Sequence, residues 1–144
     1  MNLFKKHEKN RSFIIAEVGV NHNGKEDLAI KMTEAAIKTG ADCVKFQTFK
    51  AENLILKNAP KAGYQLLNTP KKESQFQMLK KLELEEKTYI KLKKICEFNN
   101  VLFLSTPYSF EDVDFLLKIK VKAFKLASIH TFEPHFIKYV AKKK

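Results

Sequence analysis

Four short apolar stretches carry residues that a plain hydrophobic strand would not hold. Glu17 stands inside F-I-I-A-E-V-G-V-N-H-N-G (13–24), Lys45 and Gln47 inside C-V-K-F-Q-T-F (43–49), and Lys125 inside A-F-K-L-A-S (123–128). The fourth stretch, V-L-F-L-S-T-P (101–107), turns polar at Thr106. Burying an ion costs on the order of several kcal/mol unless it is paired, so each charge must meet a partner or a polar space. Two lysines with the hydroxyls of Thr106 and Ser128 at strand ends suit an anion that bears a phosphate. Gln47 and Asn21 or Asn23 are neutral groups able to orient a polyhydroxylated or acetamido substrate. Glu17 can pair with a lysine or move a proton. Each has a plainer reading too. Glu17 and Lys45 can form a buried ion pair, Lys125 can snorkel from an edge, Thr106 and Ser128 can serve as strand-end hydroxyls, and His22 can be a loop histidine without a role.

The elements that must position these groups follow from periodicity. The run from Phe13 to Val18 predicts a buried first strand. Residues 25–39 predict a helix, with Leu28, Met32, Ala35 and Ala36 at spacings of three and four and Gly40 as its stop. A strand over 43–48 follows at once, and strand–helix–strand with short links makes a parallel βαβ unit. Residues 50–71, rich in Asn, Pro and Gly, predict a long irregular lid after the second strand. Helices are expected over 73–82 and 85–98, then a strand over 101–105. Ser109 and Asp112 read as a capping box at the start of the next helix. A fourth strand over 123–127 leads to a last helix beginning near Glu133-Pro134, with proline in its favoured first turn.

Four βα units in succession predict an α/β fold with a parallel sheet covered by helices. Alternation puts Cys43, Lys45 and Gln47 on one face of the second strand and Val44, Phe46 and Thr48 on the other. Lys125 likewise separates from Phe124 and Leu126. The bulky face should meet the helices, and the lysine face should look into a polar space such as the C-terminal mouth of a (β/α)8 TIM barrel. A doubly wound sheet is the rival, but no glycine-rich phosphate loop follows the first strand. The fold expected is therefore the first four βα units of a (β/α)8 barrel, a truncated half-barrel, over residues 13–144 after an N-terminal extension of 1–12. Open edges on such a half predict self-pairing rather than a well-behaved monomer.

Composition narrows the partners. The chain has 144 residues and a net charge of +11, yet of its 27 basic residues only Arg11 is an arginine. Arginine is the residue that grips phosphates and base edges bidentately, so nucleic-acid binding is not expected. Cys43 and Cys96 should be buried, reduced thiols. No segment reaches the roughly 20 apolar residues of a membrane span. Together with the lack of a signal-peptide pattern, this predicts a cytoplasmic protein.

The quoted motifs, with Tyr64-Gln65, Asn68-Thr69 and Glu73 to Gln75, resemble the N-terminal catalytic domain of the sialic acid synthases, which include N-acetylneuraminate and legionaminate synthases. K-F-Q-T-F and N-H-N-G look more like that branch than like the related pseudaminate synthases. The resemblance implies that phosphoenolpyruvate adds through C3 to the aldehyde of an N-acetylated hexosamine, N-acetylmannosamine or a legionaminic acid precursor. Water then attacks C2 and phosphate leaves by C–O cleavage, giving a nine-carbon 2-keto acid. By matching motif, Lys45 and Lys125 would hold phosphoenolpyruvate, Thr106 and Ser128 would donate to its phosphate, and Gln47 would contact substrate. Glu17 would orient the reacting groups or handle a proton. Asn21, His22, Asn23, Tyr64 and Gln75 are further expected substrate contacts.

The resemblance also implies a homodimer and a divalent metal, Mn2+ or Mg2+, polarising the aldehyde. The family's metal-binding histidines lie on later strands, so its ligands are expected to be missing from this sequence, as is a small antifreeze-like domain. Where the family follows the fourth-strand serine with Gly-Glu, Ser128 is followed by Ile129 and His130, and Pro134 comes one residue early. His130 and His135 match no helical pair of ligands. Two outcomes are thus expected: half of a synthase completed by a second chain, or a catalytically inactive remnant.

Overall fold

β-Branched and aromatic residues bracketed by glycine and asparagine turns produce three strands here. In a computed structural model, which describes residues 11–68, 70 and 72–143 with the side chains of Tyr64 and Asn68 left out, these are β1 (Ile15–Gly19), β2 (Cys43–Thr48) and β3 (Leu102–Pro107). The expected substrate contact at Tyr64, and residues 1–10 of the N-terminal extension, lie outside the described residues. The strands form one parallel sheet in the order β1-β2-β3. Glu17 pairs in register with Lys45, Lys45 with Leu104, and Gln47 with Thr106. Because alternate residues share a face, this register sets Glu17, Lys45, Gln47, Leu104 and Thr106 on one side of the sheet.

The other side is the core. Val18, Val44, Phe46 and Phe103 pack against Ala29 of helix α1 (Glu26–Lys38) and against Tyr89, Leu92 and Cys96 of α5 (Glu86–Phe98). Two short helices, α2 (Ala51–Leu54) and α3 (Gly63–Asn68), interrupt the stretch expected to be an irregular lid. Helix α4 (Gln75–Leu82) opens on a capping box between Ser74 and Gln77. Helix α6 (Phe110–Lys118) opens on the expected box between Ser109 and Asp112, and Pro134 starts α7 (Pro134–Ala141) in its first turn.

Two expectations change. Ile14 and Ile15 are 51% and 46% exposed, so β1 enters as an exposed edge and only Val18 and Gly19 close its burial. The fourth strand is reduced to one bridge between Ser105 and Phe124, supported by the Lys125 N–H donating to the Ser105 carbonyl at 3.2 Å. Packing replaces the ladder there: Phe124 and Leu126 lean on Val113, Phe136 and Val140 of α6 and α7. A 3-10 turn (Ser128–Phe132) then takes the chain away from the sheet.

Candidate functional site

Lys45 sits on the central strand with its side chain 13% exposed and forms an ion pair with Glu17, its register partner on β1. The pair gives the buried Lys45 its counter-charge, whereas Glu17, expected to be buried, has its side chain 45% exposed on the edge strand. Gly19, in the left-handed region at φ +56, lies beside it: an added Cβ would come within 3.1 Å of Glu17 Oε1 and 3.8 Å of Gln47 Nε2. A side chain there would crowd Glu17 and touch Gln47. Gln47 is held from behind, since the Tyr89 hydroxyl donates to its carbonyl at 2.8 Å. Burial raises the Tyr89 phenol well above its ordinary range, so it stays a donor. Thr106, buried, stands opposite Gln47. On the reverse face Thr48 and Ser105 share a hydrogen bond of 2.6 Å, which ties β2 to β3 beneath these groups.

Lys125 and Ser128 are exposed and sit beyond β3, Lys125 at the bridge and Ser128 at the start of the turn. The Ser128 carbonyl accepts from Thr131 Oγ1 at 2.7 Å. The structure therefore gathers Glu17, Lys45, Gln47 and Thr106 on one face through the ladder and brings Lys125 to its margin.

Other expected residues are placed elsewhere. His22 is 1% exposed and belongs to the core side: its ring stacks on Phe46 with centroids 6.1 Å apart. Its Nδ1 accepts from the Gly24 N–H at 3.1 Å, and its buried Nε2 has no hydrogen-bond partner among the described residues. Burial lowers its pKa, because a charged imidazole would lose its hydration. Asn21 and Asn23 are exposed in the turn after β1. That turn lies against α4 so closely that a Cβ on Gly24 would fall 2.1 Å from the Lys81 carbonyl oxygen. Gln75, half-buried, begins α4, and no hydrogen bond joins it to the Lys45 face among the described residues.

Burial pushes the thiols of Cys43 and Cys96 up to about 12, which makes them packing residues rather than nucleophiles. Tyr108 escaped the sequence reading, and His130 entered it only as a rejected metal ligand. His130 is buried, with Nδ1 2.9 Å from Glu133 Oε2, its ring stacked 4.0 Å from that of Phe136, and Nε2 without a partner among the described residues. Its i,i+3 spacing to Glu133 was the available signal. Tyr108 lies just past β3, its ring edge-on to Phe49 and against His130. Among the described residues no three His, Cys, Asp or Glu side chains come together to hold a metal ion. Among the same residues, no helix is long and apolar enough to cross a membrane.

Residues 32–144 match the model of the NeuB family. The chain belongs to the NeuB family. It is 47% identical over 132 residues to an N,N'-diacetyllegionaminic acid synthase of Campylobacter jejuni subsp. jejuni, covering 92% of this chain and 40% of that protein. A synthase of the same name from Legionella pneumophila is 42% identical, with 92% of this chain and 37% of that protein covered. Among solved structures, the N-acetylneuraminic acid synthetase of Leptospira borgpetersenii superposes with a TM-score of 0.75 at 28% identity. That match covers 93% of this chain and 42% of that one. The chain thus spans about two fifths of the length of these family members.

Proposed function

We propose that this chain supplies the phosphoenolpyruvate-binding part of a sialic-acid-type synthase site, set on the first βα units of a (β/α)8 barrel. The observation that carries the reading is the ladder that aligns Glu17, Lys45, Gln47 and Thr106 on one face of the sheet. Lys45 and Lys125 hold the two anionic groups of phosphoenolpyruvate, a fixed cationic frame that costs no reorganisation when charge moves during reaction. Thr106 and Ser128 donate to the phosphate. Gln47 orients the acceptor sugar, an N-acetylated hexosamine. Glu17 holds Lys45 in place and exchanges a proton when water adds to C2. The product is a nine-carbon 2-keto acid with release of phosphate. The divalent metal that the family resemblance implies finds no ligand set among the described residues, and no step of this reading passes through it.

Relatives more than twice this length carry the synthase names, so binding rather than turnover is the decisive test. Calorimetric titration of the 144-residue chain with phosphoenolpyruvate should give saturable binding, lost on Lys45→Ala and weakened on Lys125→Ala. No binding to the unsubstituted chain at millimolar ligand, or equal binding by Lys45→Ala, would remove the reading.

A further inference from the structure

The face that carries Lys45 continues one layer beyond the residues named so far. Register pairs Thr48 with Pro107 at the strand ends, and Phe49 and Tyr108 are the residues that follow them. Alternation places Phe49 on the side of Lys45 and Gln47, and Tyr108 on the side of Leu104 and Thr106. The rings agree, meeting edge to face with centroids 6.1 Å apart. Two further contacts hold Tyr108. Its ring rests on His130 at 5.9 Å, and its backbone N–H donates to Asp112 Oδ2 at 3.3 Å. His130 is itself gripped by Glu133 and Phe136.

The ring is thus held between two others and its backbone is anchored, while its hydroxyl has no hydrogen-bond partner among the described residues. The hydroxyl is not among the buried polar atoms left without a partner, so it is open to solvent and to a ligand. The group also lies in the field of Glu17, which together with burial raises its pKa and keeps the proton on oxygen. A held neutral donor on the lysine's side of the sheet is matched by an anionic oxygen, the strongest acceptor for it.

We propose that the Tyr108 hydroxyl is a further ligand contact of this face, donating a hydrogen bond to an oxygen of the anion that Lys45 holds. The inference rests on the reading of that anion as phosphoenolpyruvate. Tyr108→Phe is the discriminating variant, because it keeps the ring contacts with Phe49 and His130 and removes one oxygen. Its thermal unfolding should match that of the parent chain. Phosphoenolpyruvate should bind it about tenfold more weakly, as expected for one hydrogen bond to a charged group.

In a chain labelled at tyrosine 13Cζ, one of the four tyrosine resonances disappears in Tyr108→Phe and so belongs to Tyr108. That resonance should move saturably as phosphoenolpyruvate is added. If the parent chain binds phosphoenolpyruvate but the resonance stays still, or Tyr108→Phe binds with equal affinity, the contact is overturned while the Lys45 reading stands. If the parent chain binds none, both fall together.

Discussion

Lys45 and Lys125 are the same side chain mounted on two differently built pieces of backbone. Lys45 lies on the central strand, hydrogen-bonded on both sides, and its ammonium is locked to Glu17. Lys125 is exposed on a segment that touches the sheet through one bridge and is held down by Phe124 and Leu126. The difference teaches where precision comes from. A ladder fixes a side chain's position by backbone geometry, whereas a packed segment fixes it only as firmly as the cluster below resists opening.

The largest effects should expose that difference. Phe46 is fully buried at the centre of the sheet-side core, between the rings of His22 and Phe103. Phe46→Ala should lower the unfolding free energy by about 4 kcal/mol, through lost burial and the cavity left behind. Phe136, 3% exposed, anchors the second cluster. Phe136→Ala should leave the amides of β2 nearly as protected as before while those of residues 124–141 exchange much faster. Urea titration and hydrogen exchange on the two variants measure this directly. Equal global losses with uniform exchange would show one cooperative unit and erase the distinction.

The ladder-held half was also the more legible one. Strands β2 and β3 follow from dense runs of aromatic and branched residues, and the Glu17–Lys45 pair follows because a lysine on the central strand cannot stay buried alone. The caps at Ser109 and Pro134 announce themselves by residue type and spacing. Residues 123–127 have the alternation of a strand, yet a ladder depends on its neighbours, and only Phe124 is bridged. Ile14 and Ile15 look buried for the same reason, since apolarity says nothing about whether an edge is covered. His22 and Tyr108 were hidden more deeply. Each sits in a turn after a strand, and its surroundings come from Phe46 in one case and from Phe49 and His130 in the other. Those partners are distant in sequence, and no local pattern names them.

Acid should act next, and on the sheet-side core. Burial depresses the pKa of His22 in the folded chain below its ordinary value of 6.5. The unfolded chain therefore takes up more protons just below that pH than the folded chain does. Stability from a neutral His22 is complete above about pH 6.5 and declines as the pH falls below it, toward the depressed folded value. Glu26 and Glu73, held below the ordinary carboxylate value of 4.5 by lysine hydrogen bonds, lose their contribution only at lower pH. Urea midpoints should thus fall between pH 7.5 and 5.5, and protection of the β2 and β3 amides should fall with them. In His22→Asn the fall should be smaller. An unchanged slope in that variant would move the acid sensitivity elsewhere.

The smallest effect tests whether the two regions share a joint. Helix α6 serves both clusters: Phe115 and Ile119 pack on the sheet-side core, and Val113 and Leu117 on the second. Its first turn depends on Ser109, whose Oγ accepts from the Asp112 N–H at 3.2 Å and donates to Asp112 Oδ2 at 2.9 Å. Ser109→Ala removes the cap and should cost about 1 kcal/mol. Burial raises the Asp112 carboxyl above its usual pKa, and the serine hydroxyl opposes that rise by favouring the ionised form. Without the hydroxyl, the ionised carboxylate is less well satisfied, so the loss should be greater at pH 7 than at pH 4. Because α6 belongs to both clusters, exchange should quicken in residues 124–141 and in β3 alike. Quickening confined to residues 124–141 would mean that α6 belongs to the packed segment alone, and that Thr106 is held without its help.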